Sequence, residues 1–293
     1  ANGSVQGIGV QITTWTQAQQ NSQYPSIAAL NNGGFIVAWE AEDEDDFGIF
    51  AQIFDANGII QGSEFQVNTY STNHQRFPSV TALIDGSFVI TWQSQYYSGF
   101  SYQVFAQIYN ADGTTQGGEI HINTYTPLTP STNHPSITAL NNGGFVIVWD
   151  AYSLTGSQAG DGDGYGIFAQ IYNADGATQG SEFQVNTYTA SFQEYPSITT
   201  LNYGTFVMVW QSLGQNGVNL YNVHGQMYNE DGTTQGNEFQ INTYVNEALG
   251  YPGQDQPSIA ALNDGGFVVI WQSWLQDGNG WGVYGQMYNT DGT

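Results

Sequence analysis

The stretch PSITALNNGGFVIVW, Pro135 to Trp149, recurs four more times in this 293-residue chain, with proline and tryptophan always fourteen residues apart. The other copies begin at Pro25, Pro78, Pro196 and Pro257 and end at Trp39, Trp92, Trp210 and Trp271. A chain built from five copies of one unit has to be read at the period of that unit, because a single copy cannot bury its apolar faces alone.

Each copy contains four strand-like pieces. The first, PSIAAL in the copy from Pro25, opens on a proline and carries small side chains, as a strand crowded near an axis needs. An NNGG, IDGS, NYGT or NDGG turn follows, whose Asn or Asp and Gly suit a tight hairpin. The second piece, GGFIVAW and its variants, is apolar on both faces and reads as a strand sandwiched between neighbouring layers. The third, FAQIF to YGQMY, keeps Gln52, Gln107, Gln170, Gln226 and Gln286 in register. A DANG or NADG turn leads to EFQVNTY, where Phe183 and Val185 alternate with Gln184 and Asn186 as in a half-exposed outer strand.

Four antiparallel strands graded from inner to outer, repeated every 53 to 61 residues, predict an all-β, five-bladed β-propeller. The chain stops at DGT, residues 291–293, before a fourth strand, while its opening ANGSVQGIGVQITTW matches the missing NADGTTQGSEFQVNTY piece. The N-terminal strand is therefore expected to complete the last blade, as closure of a ring demands. This gives one domain over 1–293, with residues 1–15 as the outer strand of blade five, then blades at 16–70, 71–125, 126–188, 189–244 and 245–293.

One Arg, no Lys and 25 Asp plus Glu leave a net charge of −24, which repels phosphate backbones and anionic lipid and makes nucleic acid and membrane surfaces poor partners. Cations are the better ones. No Cys is present, so disulfides, thiolate metal sites and thiol nucleophiles are absent. No apolar run is long enough to span a bilayer. The chain reads as a mature or excised segment, since it opens at Ala1 in the middle of a repeat.

The segments FVVIWQS and QDGNGWGVYGQMYNTDG, with GSEFQVNTY between copies, resemble the repeats of long bacterial RTX-type adhesins and haemolysin-like, calcium-dependent surface proteins. The resemblance covers nearly the whole chain and implies an extracellular or cell-surface location. It names no binding residue, and no GGxGxDxux calcium tract occurs. The five-blade count is also similar to tachylectin-type sugar-binding propellers, in architecture alone.

The copies differ most in the loops joining strands two and three and in those leaving strand four. These emerge on one face, and the Trp-to-Gln distance there runs 13, 15, 21, 16 and 15 residues. Variable loops on a fixed scaffold are the usual place for binding. Aligned on the Gln, three of them carry an acidic pair: Asp43 and Asp45, Asp161 and Asp163, Asp277 and Asn279. Such D-x-[D/N] pairs offer hard oxygen ligands suited to Ca²⁺, and the same residues also serve plain turn chemistry. The run EAEDEDD at 40–46 is the densest charge and the first-choice calcium site.

The five repeated tryptophans suit packing between blades. The loop aromatics lack that explanation, and an adhesive, carbohydrate-recognising surface is expected from Tyr96, Tyr97, Tyr102, Tyr165, Trp274 and Trp281 beside Asn219 and Gln276. Glycans or cell-surface macromolecules are the expected partners, and a self-associating fibre block without a small ligand is the alternative. Hydrolysis is not expected, because a glycosidase needs two carboxylates at the axis and the five inner segments PSIAAL to PSIAAL contain none.

Overall fold

Each repeat folds into one antiparallel sheet, and the five sheets stand around a common axis as a five-bladed β-propeller, with no helix among the described residues. The structure is a computed structural model that describes residues 9, 11–13, 21–43, 46–95, 102–124, 132–153, 163–202, 204–217, 219–244 and 253–293. Blade one holds β1 (Gln23–Ala29), β2 (Phe35–Glu42), β3 (Phe47–Phe54) and β4 (Ile60–Gln66). Blade two holds β5 (Gln75–Ala82), β6 (Phe88–Gln95), β7 (Tyr102–Tyr109) and β8 (Thr115–His121). Blade three holds β9 (Thr132–Ala139), β10 (Phe145–Ser153), β11 (Gly164–Tyr172) and β12 (Thr178–Gln184). Blade four holds β13 (Gln193–Thr200), β14 (Thr205–Leu213), β15 (Tyr221–Asn229) and β16 (Thr234–Gln240), and blade five β17 (Gln254–Ala261), β18 (Phe267–Trp274) and β19 (Trp281–Tyr288).

The first hairpin of blade one shows why its turn reads NNGG. Gly33 sits at φ 87°, a left-handed conformation that side chains resist, while a Cβ on Gly34 would stand 2.2 Å from the Phe54 carbonyl oxygen. One glycine answers to conformation and the next to space.

Two bulges recur in every complete blade. Between strands three and four the register slips opposite the repeated glutamine, so that in blade one Ala51 faces Phe65 but Ile53 faces Gln61. The buried Gln52 amide fills the slip, donating to the carbonyls of Ile53 and Gln61 at 3.0 and 3.2 Å. Between strands one and two the slip falls at the residue before the repeated proline, with Gln23 opposite Glu40 but Ser26 opposite Ala38. Proline has no N–H for the ladder, so the strand bulges where it stands.

The cores lie between blades. Four clusters join blade one to two, two to three, three to four and four to five. The five repeated tryptophans, Trp39, Trp92, Trp149, Trp210 and Trp271, are all buried. Tyr109, Tyr172, Tyr228 and Tyr288 each donate a hydroxyl hydrogen bond to the residue just past the outer strand of the preceding blade, reaching the carbonyls of Val67, Ile122, Val185 and Ile241 at 2.9–3.5 Å. Blade one has Phe54 at this place.

The seam between blades five and one differs. Val283 is 75% exposed, whereas its counterparts Ile49, Val104, Ile167 and Val223 are fully buried, and Ile27 is 65% exposed against 7% for Val80. Ile12, which aligns with Val67 in the repeat, packs on the free face of blade one. The rest of the segment expected to supply the fifth blade's outer strand falls in residues 1–8, 10 and 14–20, outside the described residues.

Candidate active site

The five inner bulges converge on the axis and carry the same strained residue. Tyr24, Phe77, His134, Tyr195 and Gln256, each immediately before the repeated proline, have φ of 48–54°. For residues other than glycine that conformation costs about 1–2 kcal/mol each, and its repetition marks a rim the fold holds in place. These residues and the Pro-Ser pairs after them line an axial funnel with a cavity volume of about 490 Å³. Four of the five form a continuous aromatic arc, with ring centroids 4.5 Å apart for Tyr24 and Phe77, 5.1 Å for Phe77 and His134, and 4.0 Å for His134 and Tyr195. The arc breaks at Gln256, whose side-chain oxygen accepts from Gln272 at 2.7 Å.

In blades two to five the bulge frees one backbone N–H, and the residue after the tryptophan of the preceding blade captures it. The N–H groups of Phe77, His134, Tyr195 and Gln256 donate to Glu40, Gln93, Asp150 and Gln211 at 3.0–3.4 Å. The acceptors are buried, since each closes a strand that is apolar on both faces. A ring of carboxylates and amides thus stands one layer behind the aromatic rim.

Two poles of charge result. At blades one and two the chain's sole arginine, Arg76, donates to the fully buried Glu40 at 3.2 Å and lies 5.3–5.9 Å from the ring centres of Tyr24, Phe47 and Phe77. At blades three to five the charge is negative. Asp150, fully buried, accepts from His134 Nδ1 at 2.8 Å, and its Oδ2 has no hydrogen-bond partner. Burial alone would lower the His134 value, but the Asp150 charge and hydrogen bond hold the imidazole above the usual histidine range. Glu194 accepts from the Tyr221 hydroxyl at 2.9 Å and from Gln211 at 3.4 Å. Burial first, and then the Asp150 charge, push its carboxyl up despite those donors. Asp255 has a buried, unpartnered Oδ1, and loss of water raises it to about 6.

The site residues expected from the variable loops are spread over the blades. Tyr96, Tyr97, Asp45 and Asp161 fall outside the described residues. Tyr102 is half-buried, its hydroxyl pushed up by burial and pulled back by Arg76. Tyr165 packs against Tyr152 at 4.9 Å and accepts from Asn133 at 3.3 Å. Trp274 and Trp281 face each other across the β18–β19 pairing, centroids 5.2 Å apart, and Gln276 and the exposed Asn219 lie in their own loops. Asp43 accepts from the Asp46 N–H and from Gln66 at 3.0 Å each, Asp277 accepts from the Asn279 N–H at 3.0 Å, and Asp163 is exposed. Among the described residues no three His, Asp or Glu side chains are grouped so as to hold a metal ion.

Sequence reasoning missed Asp150, Glu194 and Asp255, and it took Glu40 only as the start of the acidic run expected to hold calcium. The signal was present: in the repeat frame the residue after each tryptophan reads Glu, Gln, Asp, Gln, Gln, and the residue two before each proline reads Gln, Arg, Asn, Glu, Asp. Both are variable polar positions inside an otherwise constant frame.

No family model and no curated protein matches the chain. Among solved structures it is similar to an α-L-arabinofuranosidase from Lactobacillus brevis, at 14% identity over 97% of this chain and 96% of that one, with a TM-score of 0.51. It is also similar to an α-L-arabinanase from Penicillium chrysogenum complexed with arabinobiose, at 15% identity over 90% and 93%, TM-score 0.55. A third is an α-L-arabinofuranosidase from Fusarium graminearum, at 10% identity over 90% and 76%, TM-score 0.58. At these identities the likeness is one of fold. The expectation of a non-catalytic adhesive module or inert fibre block is corrected on two findings. This fold carries glycoside hydrolases, and the inner strands begin before the repeated proline, so that β13 and β17 include Glu194 and Asp255, which the PSIAAL segments leave out.

Proposed function

We propose that the axial funnel is a glycan-processing site that hydrolyses glycosidic bonds. The observation that carries this reading is the pair Glu194 and Asp255, which stand at equivalent bulge positions of neighbouring blades directly before the rim residues Tyr195 and Gln256. Tyr221 donates to Glu194 and bridges to Gly253, two residues before Asp255. Glycosidases need one carboxyl that holds its proton and one that does not. Asp255, raised to about 6 with an unpartnered oxygen, is the general acid. Glu194, with two donors on its carboxylate, is the base that activates water. The aromatic arc supplies faces on which sugar C–H groups stack. The named activities of the structural neighbours support a carbohydrate substrate, and a secreted or cell-surface location suits a polymer that cannot enter a cell.

Purified protein incubated with arabinan, xylan and other polysaccharides should release reducing ends. Glu194→Gln and Asp255→Asn should each lower the rate by about a hundredfold or more while leaving the far-ultraviolet circular dichroism unchanged. The wild-type rate should fall as pH rises through about 6, where Asp255 loses its proton. No release from any polymer, or release that both variants retain, would end this assignment.

A further inference from the structure

The four histidines use their Nε2 atoms differently. His74 Nε2 lies 3.1 Å from an Asp46 oxygen, His121 Nε2 lies 3.0 Å from the Gln103 side chain, and His224 Nε2 is buried without a partner. His134 lines the funnel. Its Nδ1 is bonded to the buried Asp150 at 2.8 Å, and its Nε2 is neither bonded to a described residue nor closed to solvent.

The imidazole is fixed before any ligand arrives. Phe77 on β5 packs against it at 5.1 Å and Tyr195 on β13 at 4.0 Å, Asp150 on β10 holds the Nδ1 edge, and Gln93 on β6 holds the backbone N–H at 3.2 Å. A polar group held in this way loses little freedom when it binds. Asp150 also decides what Nε2 offers. While Nδ1–H donates to that carboxylate, the charged ring presents an Nε2–H donor and the neutral ring an Nε2 lone pair. A hydroxyl answers both states, because it donates and accepts. The charged groups around the ring are Asp150 and Glu194, with Arg76 next to Phe77 but paired with Glu40. Burial opposes the charged ring, and the two carboxylates outweigh it.

We propose that His134 is a specificity-determining residue of the rim, whose Nε2 binds one hydroxyl of the sugar unit held in the funnel. This rests on the reading of the funnel as a glycan site and names the residue that orients the sugar there. Aromatic faces accept a sugar with little regard to its individual hydroxyls, whereas a fixed nitrogen beside them selects for one.

The repeat supplies the substitution that tests this. Blade two has Phe77 and Gln93 where blade three has His134 and Asp150, and the two rim residues share a backbone shape, with φ of 53° and 48°. His134→Phe combined with Asp150→Gln therefore removes the imidazole without leaving its carboxylate unpaired. Arabinan and xylan hexasaccharides are the probes. By calorimetry the double variant should bind the preferred one about tenfold more weakly than the wild type. In nitrogen-correlated imidazole spectra of the wild type, saturating sugar should move the Nε2 signal of His134 and leave those of the other three histidines in place. It should also raise the pH at which His134 titrates by about half a unit, because a charge-assisted hydrogen bond is the stronger one. A folded double variant that binds as tightly as the wild type, or a His134 signal that saturating sugar leaves unmoved, would overturn the proposal and leave hydrolysis standing. Should the double variant fail to fold, the wild-type spectra decide alone. A responsive His134 signal in a protein that releases no product would keep this inference and end the hydrolase assignment. Binding of neither hexasaccharide to the wild type would overturn it.

Discussion

A carboxylate that has lost water and gained no donor resists ionisation, and Asp255 is in that position. Its folded-state value of about 6 lies above the ordinary 3.8, so the native state binds the proton more tightly than the unfolded chain. The stability cost therefore grows as pH rises from 3.8 to about 6 and is complete above that. Asp255→Asn should raise the melting temperature near pH 7 while abolishing activity, and the two proteins should converge as pH falls through that window. A less stable Asp255→Asn at neutral pH would show that the carboxylate is better compensated than its surroundings indicate. The turn aspartates move the other way. Asp112 and Asp231 are lowered by hydrogen bonds from the hydroxyl and N–H of Thr114 and Thr233, so their contribution is present above the ordinary carboxylate value and fades only in acid. Acid should loosen the turns while it relieves the funnel.

The second recurrent bulge lets conformation be separated from hydrogen bonding within one element. In blade three the buried Gln170 amide holds the slip between β11 and β12 through the Ile171 and Gln179 carbonyls, at 2.8 and 3.4 Å. Gly180 opposite it sits at φ 74° with nothing within 4 Å of an added Cβ. Gly180→Ala should cost about 1 kcal/mol through strain alone, whereas Gln170→Ala should cost about 2–3 kcal/mol by leaving buried carbonyls without donors. Chemical denaturation measures both, and equal losses would mean that the glutamine is not what secures the bulge. The repeated glutamine was legible in the sequence as a register mark, but its reason was not, because a bulge is invisible to a period-2 reading. The same blindness hid the site. Strand alternation treats Glu194-Tyr195-Pro196 as ordinary strand, while the observed slip between Glu194 and Ser197 sends Tyr195 to the funnel and Glu194 to Tyr221. The blade count, the strand order and the buried tryptophans could be read because each repeats five times with apolar residues in fixed places. Trp274 and Trp281 looked like free loop aromatics, but they are a cross-strand pair, because β18 and β19 continue up to them.

At the scale of the whole ring, one position has two environments. Val104 and Val283 occupy the same place in blades two and five, yet the first is fully buried and the second is 75% exposed. Val104→Asp should unfold the protein or cost roughly 4 kcal/mol or more, and Val283→Asp should change the melting temperature by no more than about 2 °C. If both substitutions are equally damaging in thermal melts, the seam between blades five and one is as tightly packed in solution as the others. The rim leads to a different consequence. Its five places share one backbone shape, within 6° of φ, while their side chains read Tyr, Phe, His, Tyr and Gln. The frame is therefore independent of the letters written on it, and each letter can be exchanged without rebuilding a hairpin. A ring of this kind resembles a five-character alphabetic lock, in which descendants of one duplicated unit can change one character at a time while the backbone that carries it stays as it is.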